Sequence, residues 1–109
     1  MLIKDIKNRM KKKAINRRKS GNNIQKYFIV AAGISKKGNF IEMALNRPAE
    51  KPGNRCYHAE GILISKHGRK LEVIYIARFG NSGDELPIEP CEQCRNIADR
   101  MGIRIVSLS

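Results

Sequence analysis

The sequence has no run of apolar residues approaching the roughly 18 that a membrane-spanning helix needs. Its N-terminal segment, dense in lysine from Lys4 onward, lacks the apolar centre of a secretory signal peptide. The three cysteines cannot all pair in disulfides, and two of them, Cys91 and Cys94, stand at the spacing of metal ligands. We therefore expect a cytoplasmic protein with reduced thiols and no membrane partner.

Acidic residues are also scarce, at 10 against 22 Lys and Arg, which gives a formal net charge of +12. The excess is concentrated in residues 1–20, where nine basic residues face only Asp5, a net of +8 that leaves +4 for the other 89 residues. A basic segment of this kind can neutralise phosphates and attract a polyanion. The alternative is a solvated lysine-rich helix face that only keeps the protein soluble.

The chain has 109 residues, which is enough for one hydrophobic core but leaves no room for a separate regulatory module. We expect a basic N-terminal helix over residues 1–20 and a single domain over residues 21–109. Apolar residues recur at intervals of three and four in the first segment, as an amphipathic helix requires. This stripe consists of Leu2, Ile3, Ile6, Met10 and Ala14.

The rest of the chain alternates between segments of strand-like and helix-like composition, and residues 80–89 are polar and expected to be flexible. The predicted elements are strands over 27–34 and 40–45 joined by a turn, a helix over 58–67, a strand over 71–79, a helix from Pro90 to Gly102 with Cys91, Cys94, Ile97, Ala98 and Met101 on one stripe, and a strand over 103–108. A strand, helix, strand order implies a parallel crossover. The predicted fold class is therefore α/β, a three-layer sandwich with a mixed four-stranded sheet and helices on its faces.

Two short motifs carry the chemistry: His58-Ala59-Glu60 and, after 29 intervening residues, Pro90-Cys91-Glu92-Gln93-Cys94. His58, Cys91 and Cys94 supply three zinc ligands, which leaves the fourth tetrahedral position of a catalytic zinc site for water. Zinc lowers the pKa of such a water toward neutrality and so provides a nucleophile. The sequence offers no obvious fourth protein ligand.

The spacings within the motifs support these roles. Cys91 and Cys94 lie three apart in the first turn of a predicted helix, so they face the same way, and the helix N-terminus favours their thiolate forms. His58 and Glu60 lie two apart and do not share a helix face. Glu60 is therefore free to reach a different side of the zinc-bound water and to act there as a base.

The two motifs in this order resemble those of the zinc-dependent cytidine/deoxycytidylate deaminase superfamily, and the likeness runs from about Tyr27 to the C-terminus. The resemblance implies a cytidine-deaminase-like fold, a Zn²⁺ cofactor, Glu60 as the proton shuttle and the backbone of Ala59 against the base. Relatives usually carry a fifth strand, so we expect a sheet with a short C-terminus. Relatives also commonly assemble, which implies a homo-oligomer.

The substrate is indicated by residues around the motifs. Asn46-Arg47-Pro48 is similar to the motif that precedes His-Ala-Glu in bacterial tRNA adenosine deaminases, and it makes Asn46 a candidate substrate contact, unless the three residues merely form a turn. Arg95 after the second cysteine is closer to cytidine deaminases and favours cytosine over adenine. Histidine at residue 58 is typical of the deoxycytidylate and polynucleotide deaminases, whereas free-cytidine deaminases usually have cysteine there.

Tyr57 and Phe79 are candidates for stacking on an extruded base, with ordinary core or rim positions as the alternative. The basic segment would contact phosphates. Its candidate nucleic-acid-binding residues are Lys11, Lys12, Lys13, Arg17 and Arg18.

The leading hypothesis is hydrolytic deamination of cytosine to uracil in single-stranded nucleic acid. The alternatives are a deaminase of free cytidine or deoxycytidine nucleotides, a tRNA adenosine deaminase, and a non-catalytic nucleic-acid-binding protein stabilised by zinc. Glu60 distinguishes the last of these, because a structural zinc site has no use for a carboxylate there.

Overall fold

The computed structural model describes residues 3–19, 27–46, 59–80, 84–90 and 92–108. Within these ranges the elements are α1 (Ile3–Lys19), β1 (Tyr27–Ser35), β2 (Phe40–Leu45), α2 (Ala59–His67), β3 (Leu71–Gly80), β4 (Glu85–Leu86), α3 (Glu92–Arg100) and β5 (Arg104–Ser107). One turn of 3-10 helix, Gly68–Lys70, joins α2 to β3. None of the helices in the described ranges is long and apolar enough to cross a membrane.

The sheet is organised around β3. On one side β3 pairs antiparallel with β1, with Ala31 opposite Ile76. On the other side it pairs parallel with β5, with Ile74 opposite Ile105. Because β2 adds to β1 as an antiparallel edge strand, the strand order is β2-β1-β3-β5, and the predicted mixed four-stranded sheet is confirmed.

The short strand β4 was not predicted, because residues 80–89 have a polar, loop-like composition. Glu85 and Leu86 pair antiparallel with Phe79 and Arg78, beyond the last residue of β3 that β5 reaches. The N–H of Gly80 donates to the carbonyl of Asp84 at 2.9 Å and links the last residue of β3 to the residue before β4. This pairing uses only backbone groups, so composition gives no signal for it.

Helices cover both faces of the sheet, because successive residues of each strand point to opposite faces. The core on the α1 face consists of Ile6, Met10, Ala14, Phe28, Val30, Ala32, Ala77 and Phe79. The core on the α2 and α3 face consists of Ala31, Ala44, Ala59, Leu63, Leu71, Ile74, Ile76, Ala98 and Ile103. The three-layer sandwich is therefore confirmed, and the basic helix α1 forms one of its layers.

Helix α3 ends as the sequence predicts but packs differently. Gly102 takes a positive φ of 73°, which glycine adopts without strain, and the N–H of Ile103 donates to the carbonyl of Ala98 at 2.9 Å. Ile97 was predicted to lie on the buried stripe, but it is 39% exposed. Only Cys94 and Ala98, four residues apart, are buried within α3, so its buried stripe is narrower than predicted.

Candidate active site

The candidate site lies where the first turn of α2 meets the first turn of α3. A Cβ built on Gly61 would lie 3.6 Å from Sγ of Cys94, an ordinary van der Waals distance. Gly61 directly follows Glu60 in α2, whereas Cys94 is the third residue of α3. The tertiary structure thus brings the proposed proton carrier and one proposed zinc ligand to the same place.

Glu60 is buried, with only 4% of its surface exposed. Its neighbours in α2, Ala59 and Leu63, are 0% exposed and belong to the core on this face of the sheet. Burying a carboxyl group costs free energy even when it has partners, so its position in an apolar core needs a reason other than stability. A buried carboxyl group of this kind is typical of functional sites, which agrees with the prediction that Glu60 transfers protons.

Two of the predicted zinc ligands, His58 and Cys91, lie outside the described residues, as does Tyr57. In the sequence His58 directly precedes α2, and Cys91 directly precedes α3. Among the described residues there is no group of three His, Cys, Asp or Glu side chains that could hold a metal ion. Those ranges include only Cys94 of the three predicted ligands.

Cys94 has the properties of a zinc ligand. Its side chain is buried, and it lies in the first turn of α3, where the positive end of the helix dipole favours a thiolate. Thiolate sulfur is a preferred donor for zinc. The described part of the predicted ligand set therefore fits zinc.

Asn46 is held at the point where the chain leaves β2. Its side-chain Oδ1 accepts a hydrogen bond from the N–H of Ile29 at 2.9 Å, and its own N–H donates to the carbonyl of Ile29 at 3.0 Å. These two bonds continue the β1–β2 ladder by one residue and fix the side chain. A substrate contact by Asn46 stays a prediction.

Phe79 lies away from the candidate site. It is 2% exposed and packs in the core beneath α1, on the face of the sheet opposite to Ala59 and Glu60. Strand alternation decides this, because Ile76 points toward α2 and Phe79, three residues on, points toward α1. The location favours the alternative of an ordinary core residue over a base-stacking role.

The predicted nucleic-acid-binding residues also lie on the α1 face. Lys11 and Lys12 are exposed and Lys13 is half-buried, whereas the side chains of Arg17 and Arg18 lie outside the described set. The buried stripe of α1 packs on the face of the sheet opposite to Glu60, and Lys13 lies at the β2 edge, where Ile62 and Lys66 of α2 line the same cavity.

Sequence reasoning missed two contacts that α1 makes. Nζ of Lys7 lies 2.7 Å from Oε2 of Glu85, an ion pair that links α1 to β4. The guanidinium of Arg9 lies 5.9 Å from the ring centroid of Phe40 in β2, within cation–π range. Helical spacing places Arg9 beside the buried stripe, but the partner could not be known from the sequence.

A third missed contact joins β2 to the end of α2. Nζ of Lys66 donates to Oε1 of Glu42 at 3.0 Å, and Nε2 of His67 lies 3.3 Å from Oε2 of the same carboxylate. The hydrogen bond from Lys66 lowers the pKa of Glu42 below its ordinary value of 4.5; desolvation opposes this shift, and His67 adds to it. The ionised carboxylate fastens α2 to the edge strand.

Comparison with known proteins shows the family of the chain. The family model described as the cytidine and deoxycytidylate deaminase zinc-binding region matches residues 4–109. The chain belongs to this deaminase family. The resemblance predicted from the two motifs is confirmed, and the chain is a zinc-dependent deaminase, a hydrolase of the cytidine deaminase family. The match begins within α1, so the family region is longer than the span from Tyr27 predicted by the motifs.

Solved structures show the same fold. The crystal structure of cytidine deaminase from Mycobacterium leprae is similar with a TM-score of 0.57 and 22% identity, covering 92% of this chain and 86% of that chain. The crystal structure of cytidine deaminase from Mycobacterium tuberculosis gives a TM-score of 0.52 and 20% identity, covering 90% and 81%. The search of curated proteins gives no match. At these identities the likeness establishes a cytidine-deaminase-like fold.

Proposed function

We propose that this deaminase converts the cytosine base of free cytidine or deoxycytidine nucleosides and nucleotides to uracil. The observation that carries the proposal is the approach of Cys94, in the first turn of α3, to Gly61, the residue after Glu60 in the first turn of α2, in a chain of the cytidine and deoxycytidylate deaminase family. The structural likeness to two proteins named as cytidine deaminases supports the same substrate class.

In this proposal His58, Cys91 and Cys94 would hold Zn²⁺, which when bound lowers the pKa of a water molecule. Glu60 would take a proton from the attacking water and pass it to the ring nitrogen, and it would then pass the proton of the added hydroxyl group to the departing amine. A C–O bond forms at C4 of cytosine, the C–N bond to the exocyclic amine breaks, and ammonia leaves. The backbone of Ala59 would lie against the base, and Asn46 would contact the sugar or the base.

The packing of α2 supports the role of Glu60. Its carboxyl group stands in the first turn of a helix whose residues Ala59 and Leu63 are 0% exposed. A proton carrier must keep its position relative to the substrate to within a fraction of an ångström. A helix anchored in the core gives this precision better than a surface loop does.

Deamination of cytosine in single-stranded nucleic acid is the second candidate. The observation that favours it is the positive charge of α1, with nine basic residues among residues 1–20. Its weakness is geometric, because α1 lies on the opposite face of the sheet from Glu60. We therefore place the free nucleoside or nucleotide first, ahead of the adenosine alternative, which Arg95 disfavours, and the non-catalytic alternative.

Product analysis tests the proposal. Zinc-loaded protein is incubated separately with cytidine, deoxycytidylate, an adenosine-containing tRNA stem-loop and a mixed single-stranded DNA pool, each at low and high salt, and ammonia and base products are measured. We expect uridine and deoxyuridylate from the free substrates. Deamination confined to the DNA pool or the tRNA would refute the proposed substrate, and no product from folded, zinc-loaded protein would refute catalysis.

A further inference from the structure

A groove runs along the outer edge of the sheet, beside β2. It consists of two adjoining cavities of about 510 and 270 Å³, both lined by Lys13, Glu42 and Met43. Strand β2 forms its floor and α1 forms one wall, whereas Ile62 and Lys66 of α2 line the other. We refer to this feature as the β2 groove.

The α1 wall of the β2 groove is positively charged. Arg9, Lys12, Lys13 and Asn16 all line it, and their spacing of three, four and seven residues places them on one face of the helix. The contact of Arg9 with the Phe40 ring at 5.9 Å holds its guanidinium over the groove floor.

Among the described residues, none of the three cations Arg9, Lys12 and Lys13 forms an ion pair with a carboxylate. Glu42 is the acidic residue of the groove, and it is already paired with Lys66 at 3.0 Å. Within the described ranges, neither Lys12 nor Lys13 forms an ion pair. The groove therefore has an excess of three positive charges along one wall, a complement to an anion with several charges.

We propose that the β2 groove binds the phosphate backbone of single-stranded nucleic acid. The floor from Phe40 to Asn46 is an extended segment of seven residues, which spans about 20 Å. A single phosphate would contact only part of such a groove, whereas a chain of phosphates can contact Arg9, Lys12 and Lys13 in turn. Phosphate contacts of this kind bind without regard to sequence.

The sheet edge itself is consistent with an anionic occupant. Among the described strands, β2 pairs only with β1, so its outer edge meets no other strand. A second copy of the chain is a poor occupant, because its β2 edge would bring the same positive wall and repel. The alternative is that the lysines only prevent the exposed edge of β2 from pairing with a strand of another molecule.

The inference is independent of the proposed deaminase substrate, since binding needs no cytosine. It does have a spatial connection to the candidate site, because the groove ends at Asn46, the residue at which the chain leaves β2 toward the His58 motif. Nucleic acid held in the groove would therefore end beside the predicted substrate contact.

Fluorescence anisotropy with a labelled thymine-only 20-mer tests the proposal in the full-length protein, across a salt series. The variant Lys12→Gln/Lys13→Gln removes two charges from the groove wall. The matched control Arg100→Gln/Arg104→Gln removes two charges from exposed residues near β5, at the opposite edge of the sheet. Thermal unfolding of each variant checks that the fold is intact.

We expect the groove variant to raise Kd at low salt by about tenfold or more and to reduce the slope of log K against log salt by about 1.4, or 0.7 for each lost phosphate contact. The control variant should stay within about twofold of the wild type. Equal weakening of DNA binding by both variants, or no binding by the wild type, would overturn the proposal. The lysines would then only prevent strand pairing at the β2 edge. Displacement of the 20-mer by deoxycytidylate at equal phosphate concentration would also overturn it in favour of a single-phosphate site.

Discussion

Cys94 and Gly61 are in contact range across the junction of two helices, with 3.6 Å between Sγ and the position that a Cβ of residue 61 would take. Because Gly61 follows Glu60, the same contact places Sγ of Cys94, a predicted zinc ligand, beside the turn of α2 that carries the buried carboxyl group of Glu60. The packing of α2 against α3 brings the turns that carry these two predicted site residues next to each other.

Replacing Glu60 with glutamine tests proton transfer at this junction. Glutamine keeps the size of the side chain but cannot carry a proton, so kcat should fall by about 10²- to 10⁴-fold. Zinc content and thermal stability should change little. Glu72→Gln, at an exposed residue of β3, is the matched control and should retain wild-type kcat. Wild-type turnover by Glu60→Gln would exclude the proton-shuttle role.

Replacing Cys94 with serine tests zinc ligation. Serine is a poor zinc ligand, so purified Cys94→Ser should contain much less zinc than the wild type by elemental analysis. A chelator should lower the Tm of the wild type but leave the Tm of Cys94→Ser nearly unchanged, because bound metal stabilises the folded state. Cys56→Ser changes the third cysteine of the chain in the same way and should keep its zinc. Equal zinc in all three proteins would argue against Cys94 as a ligand.

Truncating Met10 tests whether α1 is part of the fold. Met10 is 0% exposed on the side of α1 that packs against the sheet, so Met10→Ala should lower the free energy of unfolding by about 2–5 kcal/mol in denaturant titrations. Lys11→Ala, the exposed next residue, should change it by less than about 0.5 kcal/mol. If the two variants are equally stable, α1 does not contribute to the core. The expected loss also makes charge substitutions a cleaner test of α1 than deletion of residues 1–19.

The Glu42 cluster predicts a pH dependence of stability. The pKa of Glu42 is lowered in the folded state, so its contribution is present above 4.5 and is lost as the pH falls through the folded-state pKa. Glu42→Gln should therefore be less stable than the wild type at about pH 7, by at most about 1 kcal/mol for a partly exposed pair, and the difference should be smaller at about pH 3. Urea titrations at both pH values measure it. A difference that grows as the pH falls would show that the sign is wrong.

The sequence predicted most elements to within about two residues, because the apolar pattern repeats at the period of the structure that it forms. The hairpin, the stripe of α1 and the glycine that ends α3 are examples. The exposure of Ile97 could not be predicted, since helical spacing places it next to the buried stripe but does not tell how wide the neighbouring surface is. The backbone pairing of β4 left no trace in composition.

The roles of individual residues divide in the same way. The roles predicted for Glu60 and Cys94 rest on residue types and local spacing, because zinc ligation and proton transfer need particular functional groups. The position of Phe79 could not, since strand alternation states that neighbouring residues face opposite ways without stating which way faces the site. The location of Phe79 under α1 depends on how the strands and helices pack together, which the sequence alone does not specify.

By itself, the sequence determined the family chemistry, the α/β class and the concentration of positive charge near the N-terminus, all of which depend on residue types and short spacings. The tertiary structure alone decided that α1 lies across the sheet from Glu60 and that Lys12 and Lys13 face the edge strand β2. The physical reason is that these relationships come from packing between segments distant in the chain, and a local pattern is compatible with either face of a sheet.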